Sequence, residues 1–151
     1  MIPKLPDKKS NAQDIQAFIG KVKNAPLVTG VGKGRLIFAM DATASREHCW
    51  DMASQQHAAM FAEADKVSAL SVQLCYYRGM GEFKALPWTR GADEIKQALL
   101  SVRCLAGQTQ IAKVLSLALC ETRTRKVTAL VLVGDCIEED RNLLGTLACK
   151  L

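Results

Sequence analysis

Three short segments of this 151-residue chain carry the residues able to do chemistry. Asp41-Ala42-Thr43-Ala44-Ser45 follows an apolar run, Gly107-Gln108-Thr109 precedes an apolar helical pattern, and Gly134-Asp135 ends a second apolar run. Together they offer two carboxylates and three hydroxyls. All are hard oxygen donors, the ligand type that Mg²⁺ or Mn²⁺ prefers. Alternate positions 41, 43 and 45 in a looping segment can face one point, with Ala42 and Ala44 turned away. Two carboxylates around a divalent ion leave room for waters or for an external oxygen ligand. No catalytic constellation accompanies them, and no well-placed general base is evident.

These segments need a scaffold that brings them together, and the hydropathy pattern supplies one. Arg35–Met40 is an uninterrupted apolar run, the signature of a strand covered on both faces. Residues 46–64 follow a helical period through Trp50, Ala53, His57 and Met60 or Phe61, with Ser45 as a cap and Glu47 in the first turn. Leu70–Tyr77 reads as a second strand. Gly79-Met80-Gly81 then makes a link tight enough for a hairpin, so Glu82–Leu86 is expected antiparallel to it. Helices are expected over 92–102 and 109–122. Lys126–Val133 reads as the clearest buried strand, and 138–149 as a final helix with Glu138, Glu139 and Asp140 as an acidic start. The order β-α-β-β-α-α-β-α implies a doubly wound, mostly parallel sheet with helices on both faces. In such sheets ligands bind beyond the carboxyl ends of the strands. A final helix of this kind should cross back to another parallel strand, and none follows Leu151. Either the domain is truncated at its C-terminus or strand 126–133 is left as an edge.

Charge divides the chain differently. Residues 1–35 carry seven Lys or Arg against two Asp or Glu, a surplus equal to the whole net charge of +5. The body is therefore neutral, and the expected organisation is a basic arm over 1–34 before a domain over 35–151. In the arm, Asn11 or Asp14 can open a short helix through Ile19, and the glycines of 30–34 make an approach to the first strand. A solvated arm is the ordinary reading of such a terminus. Nucleic-acid binding has little support, because the body lacks interleaved basic and aromatic residues. The N-terminus has no apolar core of a secretory signal. No stretch approaches the ~18 apolar residues of a membrane span. The six cysteines form neither a C-x-x-C pair nor a zinc-type cluster, and most lie in apolar stretches. They read as free thiols in a reducing, cytoplasmic compartment.

With strand order and motif spacing in view, the chain resembles the von Willebrand factor A (VWA) family over roughly residues 35–150. The resemblance rests on D-x-T-x-S after a first buried strand, Thr109 at the mouth of a helix, and Asp135 after a later strand. The segments YYRGMGEF, LAGQTQI and VLVGDCIEED are similar to a bacterial subgroup of these domains. What the resemblance implies is a Rossmann-like fold and a metal-ion-dependent adhesion site. Thr43, Ser45 and Thr109 would bind the ion through their hydroxyls, and Asp41 and Asp135 directly or through water. A protein partner's acidic or other oxygen ligand would complete the coordination. Position 43 more often holds Ser in the family, and Gly134-Asp135-Cys136 stands where many members have Thr-Asp-Gly.

The rival reading is a Mg²⁺-dependent phosphoryl-transfer enzyme with Asp41 at the strand end. Phosphatases of the haloacid dehalogenase type carry D-x-D there, and this chain has Thr43 at the second position. No phosphate-binding G-x-x-x-x-G-K-[ST] loop is present, and Gly30–Gly34 precedes the first strand rather than following it. His48 and His57 are nine apart, which is not ligand spacing on one helix face. Trp50, Met52, Met60 and Phe61 are read as core. Tyr76, Tyr77, Arg78, Glu82 and Trp88 are read as hairpin packing or as part of a partner surface.

Overall fold

The computed structural model describes residues 34–67 and 70–151, together with Gln13, Gln16, Ala17 and Gly20. The chain divides into two units, Met1–Gly32 and Lys33–Leu151. The four described residues of the first unit are helical. The rest of the expected arm helix, and the glycine-rich approach before Gly34, lie outside the described residues.

The second unit is one mixed sheet with helices on both faces. Its strands are β1 (Arg35–Asp41), β2 (Ser71–Arg78), β3 (Glu82–Ala85) and β4 (Ala129–Val133), and its helices are α1 (Glu47–Val67), α2 (Ala92–Ser101), α3 (Ile111–Thr124) and α4 (Arg141–Ala148). The sheet order is β3-β2-β1-β4. β1 runs parallel to both β2 and β4, and β3 is antiparallel to β2. The chain thus leaves β1 toward one side of the sheet and later returns to the other side. The carboxyl end of β1 is therefore a switch point, where a crevice opens between diverging loops.

The period of two along β1 and β2 sorts the core into two layers. Phe38, Met40, Val72, Leu74 and Tyr76 face α1 and α2, meeting Trp50, Phe61, Ile95 and Leu99. Ile37, Ala39, Cys75 and Tyr77 face the other way, against Ile111, Val114, Leu115 and Ala118 of α3 and Leu144 of α4. Covering both faces is why β1 reads as an unbroken apolar run. Trp50 Nε1 donates to the Val102 carbonyl at 3.0 Å, which fixes the start of α1 against the end of α2.

Some expectations are corrected. β4 is not a buried strand but a sheet edge: its one strand neighbour among the described residues is β1, and Val131 and Leu132 are 41% and 37% exposed. An apolar run has the same look in a central strand and in an edge strand. Met52 and Met60 are exposed rather than core, whereas Trp50 and Phe61 are buried. Ser45 does not cap α1. It lies inside a 3₁₀ turn (Ala44–Arg46) whose own cap is Thr43. α4 begins at Arg141, with Asp140 accepting from Asn142 N–H and Leu143 N–H. All six cysteines are free, but Cys120, Cys136 and Cys149 are exposed and Cys75 alone is fully buried. The tyrosine cluster packs into the hairpin: Tyr76 and Tyr77 are buried, and Arg78 forms a two-pronged ion pair with Glu82 at 2.9 Å. No described helix is long and apolar enough to cross a membrane.

Candidate functional site

Asp41 closes β1 opposite Tyr77 of β2, one residue past the end of the pairing with β4. Its carboxylate is fully buried, and Oδ1 takes two donors from the loop that follows. Thr43 N–H donates at 2.9 Å and the Thr43 hydroxyl at 2.6 Å. A hydroxyl that gives its proton to a carboxylate keeps its lone pairs for another partner. The Ser45 hydroxyl stands 3.2 Å from that of Thr43. Ala42 is buried in the core, as the alternation requires, but Ala44 is exposed and lies on the wall of the site.

Asp41 Oδ2 has no hydrogen-bond donor among the described residues, although it is buried. Gly134, just past β4, leaves space beside it. A Cβ there would lie 3.3 Å from Asp41 Cβ, 3.5 Å from Oδ2 and 3.7 Å from the Tyr77 hydroxyl. That hydroxyl is also buried and lacks a partner at hydrogen-bonding geometry. Burial first, and then the neighbouring Asp41 carboxylate, push the Tyr77 phenol well above its ordinary pKa, with smaller effects from Glu139 and Asp135. The phenol therefore keeps its proton beside the carboxylate, and Oδ2 itself has no donor at hydrogen-bonding geometry among the described residues.

The second wall comes from the segment between α2 and α3, which is stitched across the strand ends. Leu105 N–H donates to the Ala42 carbonyl at 2.9 Å, Gly79 N–H to the Leu105 carbonyl at 3.2 Å, and Gln108 N–H to the Gly79 carbonyl at 3.2 Å. Gly107 sits where this segment crosses the β2–β3 turn, so close that a Cβ would fall 1.9 Å from the Gly79 oxygen. Only glycine fits there. Gln110 adds bonds from its side-chain amide to the carbonyls of Arg78 and Glu82. Thr109 is thereby fixed before α3 begins. It is not the helix cap, which is Gln110.

The third wall is the β4–α4 loop. Glu138 Oε2 accepts from Thr109 N–H at 2.8 Å, and Glu138 N–H donates back to the Thr109 hydroxyl at 3.2 Å. Glu139 reaches the start of α3, accepting from Ile111 N–H and, at 2.9 Å, from Ala112 N–H. The acidic run 138–140 is thus three caps serving two helix starts and one loop, rather than charge along the first turn of a single helix.

Asp41, Thr43, Ser45, Thr109 and Asp135 all line one cleft of about 280 Å³, with Gly107, Cys136 and Glu138. Asp41, Thr43 and Thr109 are buried, while Ser45, Asp135 and Glu138 are exposed, so the cleft has a fixed floor and an open rim. Glu138, read from the sequence as part of a helix's acidic start, is a cleft residue that the motif did not single out. His48 is exposed on α1. His57 is half-buried, with its ring edge-on to Phe38 at 5.0 Å. Among the described residues no group of three or more His, Cys, Asp or Glu side chains is placed to hold a metal, so hydroxyls would have to supply part of any ligand set.

No family model matches the sequence, and no curated protein matches it. Solved structures do match the fold. Over 79% of this chain it is similar to a von Willebrand factor type A protein from Catenulispora acidiphila, at 14% identity and a TM-score of 0.61. It is similar over 70% to the pilus adhesin SpaC from Lactobacillus rhamnosus GG (14%, TM-score 0.56), and over 66% to the conserved hypothetical protein BatB from Bacteroides thetaiotaomicron (20%, TM-score 0.52). The chain spans 30%, 15% and 52% of those three chains, respectively. The molecule is a doubly wound α/β domain with its cleft at the switch point. More particularly, its fold is of the von Willebrand factor A type.

Proposed function

We propose that this chain is a protein-interaction module that captures its partner through a divalent cation, Mg²⁺ or Mn²⁺, held in the cleft. Asp41, Thr43, Ser45, Thr109 and Asp135 are the residues that would hold it. The observation that carries the reading is the buried Asp41 carboxylate, one oxygen of which has no donor among the described residues. A buried ionised carboxylate is stable only when paired or coordinated. The donor set around it is all oxygen, two carboxylates and three hydroxyls, which suits a hard cation. When bound, such an ion offers a Lewis-acidic position to an external oxygen ligand. The chain's own residues do the rest. Asp41 orients Thr43, Thr43 stands beside Ser45, and the stitched 105–109 segment presents Thr109.

The partner in this reading is a protein that supplies a carboxylate or similar oxygen. One fold neighbour is named as a pilus adhesin, which agrees with a binding role only by analogy of fold. Phosphoryl transfer is not favoured: the Thr43 hydroxyl is committed to Asp41 Oδ1, and position 43 offers no carboxylate to act as acid or base. A reducing, cytoplasmic setting remains part of the proposal, resting on cysteines that are all free.

The test is calorimetric titration of Mg²⁺ and Mn²⁺ into metal-free protein beside Asp41→Ala. One-site binding in the parent and none in a folded variant supports the reading. A folded parent that binds neither ion sinks it.

A further inference from the structure

The β4–α4 loop holds a carboxylate that no motif requires. Glu138 lines the cleft, yet its carboxylate is not turned at random into solvent. Oε2 accepts the Thr109 amide at 2.8 Å, and the Glu138 amide donates to the Thr109 hydroxyl at 3.2 Å. These two bonds form a reciprocal clasp of the kind that fixes helix starts, but here it joins residues 29 apart. Its effect on Thr109 is specific. The Glu138 N–H occupies one lone pair of the hydroxyl oxygen and so sets its orientation. The other lone pair is left for the cleft. The neighbouring Glu139 clamps the first amides of α3, so the Thr109 backbone is held from both sides of one loop. The cleft it serves carries an independent demand for a cation, the buried and unpartnered Asp41 Oδ2.

We propose that Glu138 is a positioning residue that aims the Thr109 hydroxyl into the cation site. This rests on the cation-binding reading of the cleft. Every variant at 138 keeps the main-chain N–H that meets the Thr109 hydroxyl. The side chain acts through its carboxylate oxygen, which accepts the Thr109 amide and so holds the backbone that presents that hydroxyl, as a hydrogen-bond acceptor rather than as a charge. A glutamine, which keeps a side-chain acceptor oxygen, should therefore replace it, and an alanine should not.

The experiment measures Mn²⁺ affinity by calorimetry and Thr109 amide hydrogen exchange by NMR. It uses the parent, Glu138→Gln and Glu138→Ala, the exchange being read without metal. Loss of a partner that orients a metal ligand typically costs about ten- to a hundredfold in affinity. Glu138→Ala should lose about tenfold or more in Mn²⁺ affinity, and Thr109 should exchange faster. Glu138→Gln should stay close to the parent in both. Parent-like Mn²⁺ binding by Glu138→Ala overturns the inference while leaving the cation site standing. Equal losses in both variants also overturn it, because charge would then be the property that matters. A parent that binds no Mn²⁺ refutes the cation reading itself and this inference with it, and the exchange data would then report only a structural clasp.

Discussion

Replacing Gly107 by Ala tests whether the cleft's second wall is held by backbone contact. The added Cβ would lie 1.9, 2.2 and 2.4 Å from the oxygen, carbonyl carbon and Cα of Gly79. All three are backbone atoms of the turn joining β2 to β3, so none can swing aside as a side chain would. The 105–109 segment must lift, breaking the Gly79 N–H to Leu105 and Gln108 N–H to Gly79 carbonyl bonds. Two such bonds are worth about 1–3 kcal/mol together, and forced overpacking adds about 1–3 kcal/mol. We expect a loss of about 3 kcal/mol, which lowers the thermal midpoint by roughly 10 °C in a domain of this size. Gly145→Ala is the control. Its Cβ meets nothing within 4 Å, in the interior of α4. It should stabilise by about 0.5–1 kcal/mol through helix propensity. Thermal unfolding in chelator gives the stability of both variants, and Mn²⁺ titration gives the site. A Gly107→Ala protein with the parent's midpoint and Mn²⁺ affinity would refute the claim that this crossing positions Thr109.

Glu121→Ala should cost about 2–3 kcal/mol in chemical denaturation, because it strips the ion pair at 2.8 Å from Arg35, which is buried beneath Trp88; a loss below about 0.5 kcal/mol would contradict this. His57 has its pKa lowered, by burial first and then by Arg46. Its neutral form is favoured in the fold, so its contribution is present above the unfolded value of about 6.5 and is lost as pH falls through the lower folded value. Stability measured against pH should fall over that window, and His57→Phe should flatten it. The Cys75 thiol is pushed up to about 12 by burial. It should resist thiol reagents until the protein unfolds, while Cys120, Cys136 and Cys149 react at once; four promptly reacting thiols that include Cys75 would show the two-layer core to be wrong. Asp41→Asn should abolish Mn²⁺ binding yet leave the protein in chelator as stable as the parent or about 1–2 kcal/mol more so, since it removes a buried charge and keeps the acceptor for Thr43. A large loss of stability in chelator would mean the carboxylate is already compensated.

Much of the fold was legible because its signals are local. β1 is apolar on both faces and reads so, and the Gly79-Met80-Gly81 link announced the antiparallel β3. The side chains of Asp41, Thr43 and Ser45 share one segment, so their grouping follows from neighbouring positions. What stayed hidden depends on residues distant in sequence. The start of α3 was expected at Thr109, where a local cap would serve. Glu139, 28 positions away, caps Ile111 instead, and no window of sequence contains both. The exposure of β4 was not recorded in its own residues, which read as buried; only the absence of a following strand pointed to an edge. Met52 and Met60 fell outside the core although they lie on α1 with the buried Trp50 and Phe61. The apolar count of a helix overstates its buried face when methionines flank it.

The cleft shows why its parts obey different rules. The Asp41–Thr43 contact is local, so it persists as long as β1 does. Thr109 has no such support, and its place depends on a glycine crossing, three backbone bonds and a clasp from Glu138. Each of those features stabilises the fold. The Asp41 carboxylate is a different case: it is buried at the end of the central strand, with two donors from Thr43 on Oδ1 and Tyr77 beside it held neutral. A sequence shaped by stability alone would favour an apolar or amide side chain at that point. The chain instead surrounds the carboxylate with hydroxyl oxygens and keeps Gly134 small next to its unpartnered atom. Stabilising features thus converge on a buried carboxylate, and the arrangement makes physical sense if the cleft is built to receive positive charge.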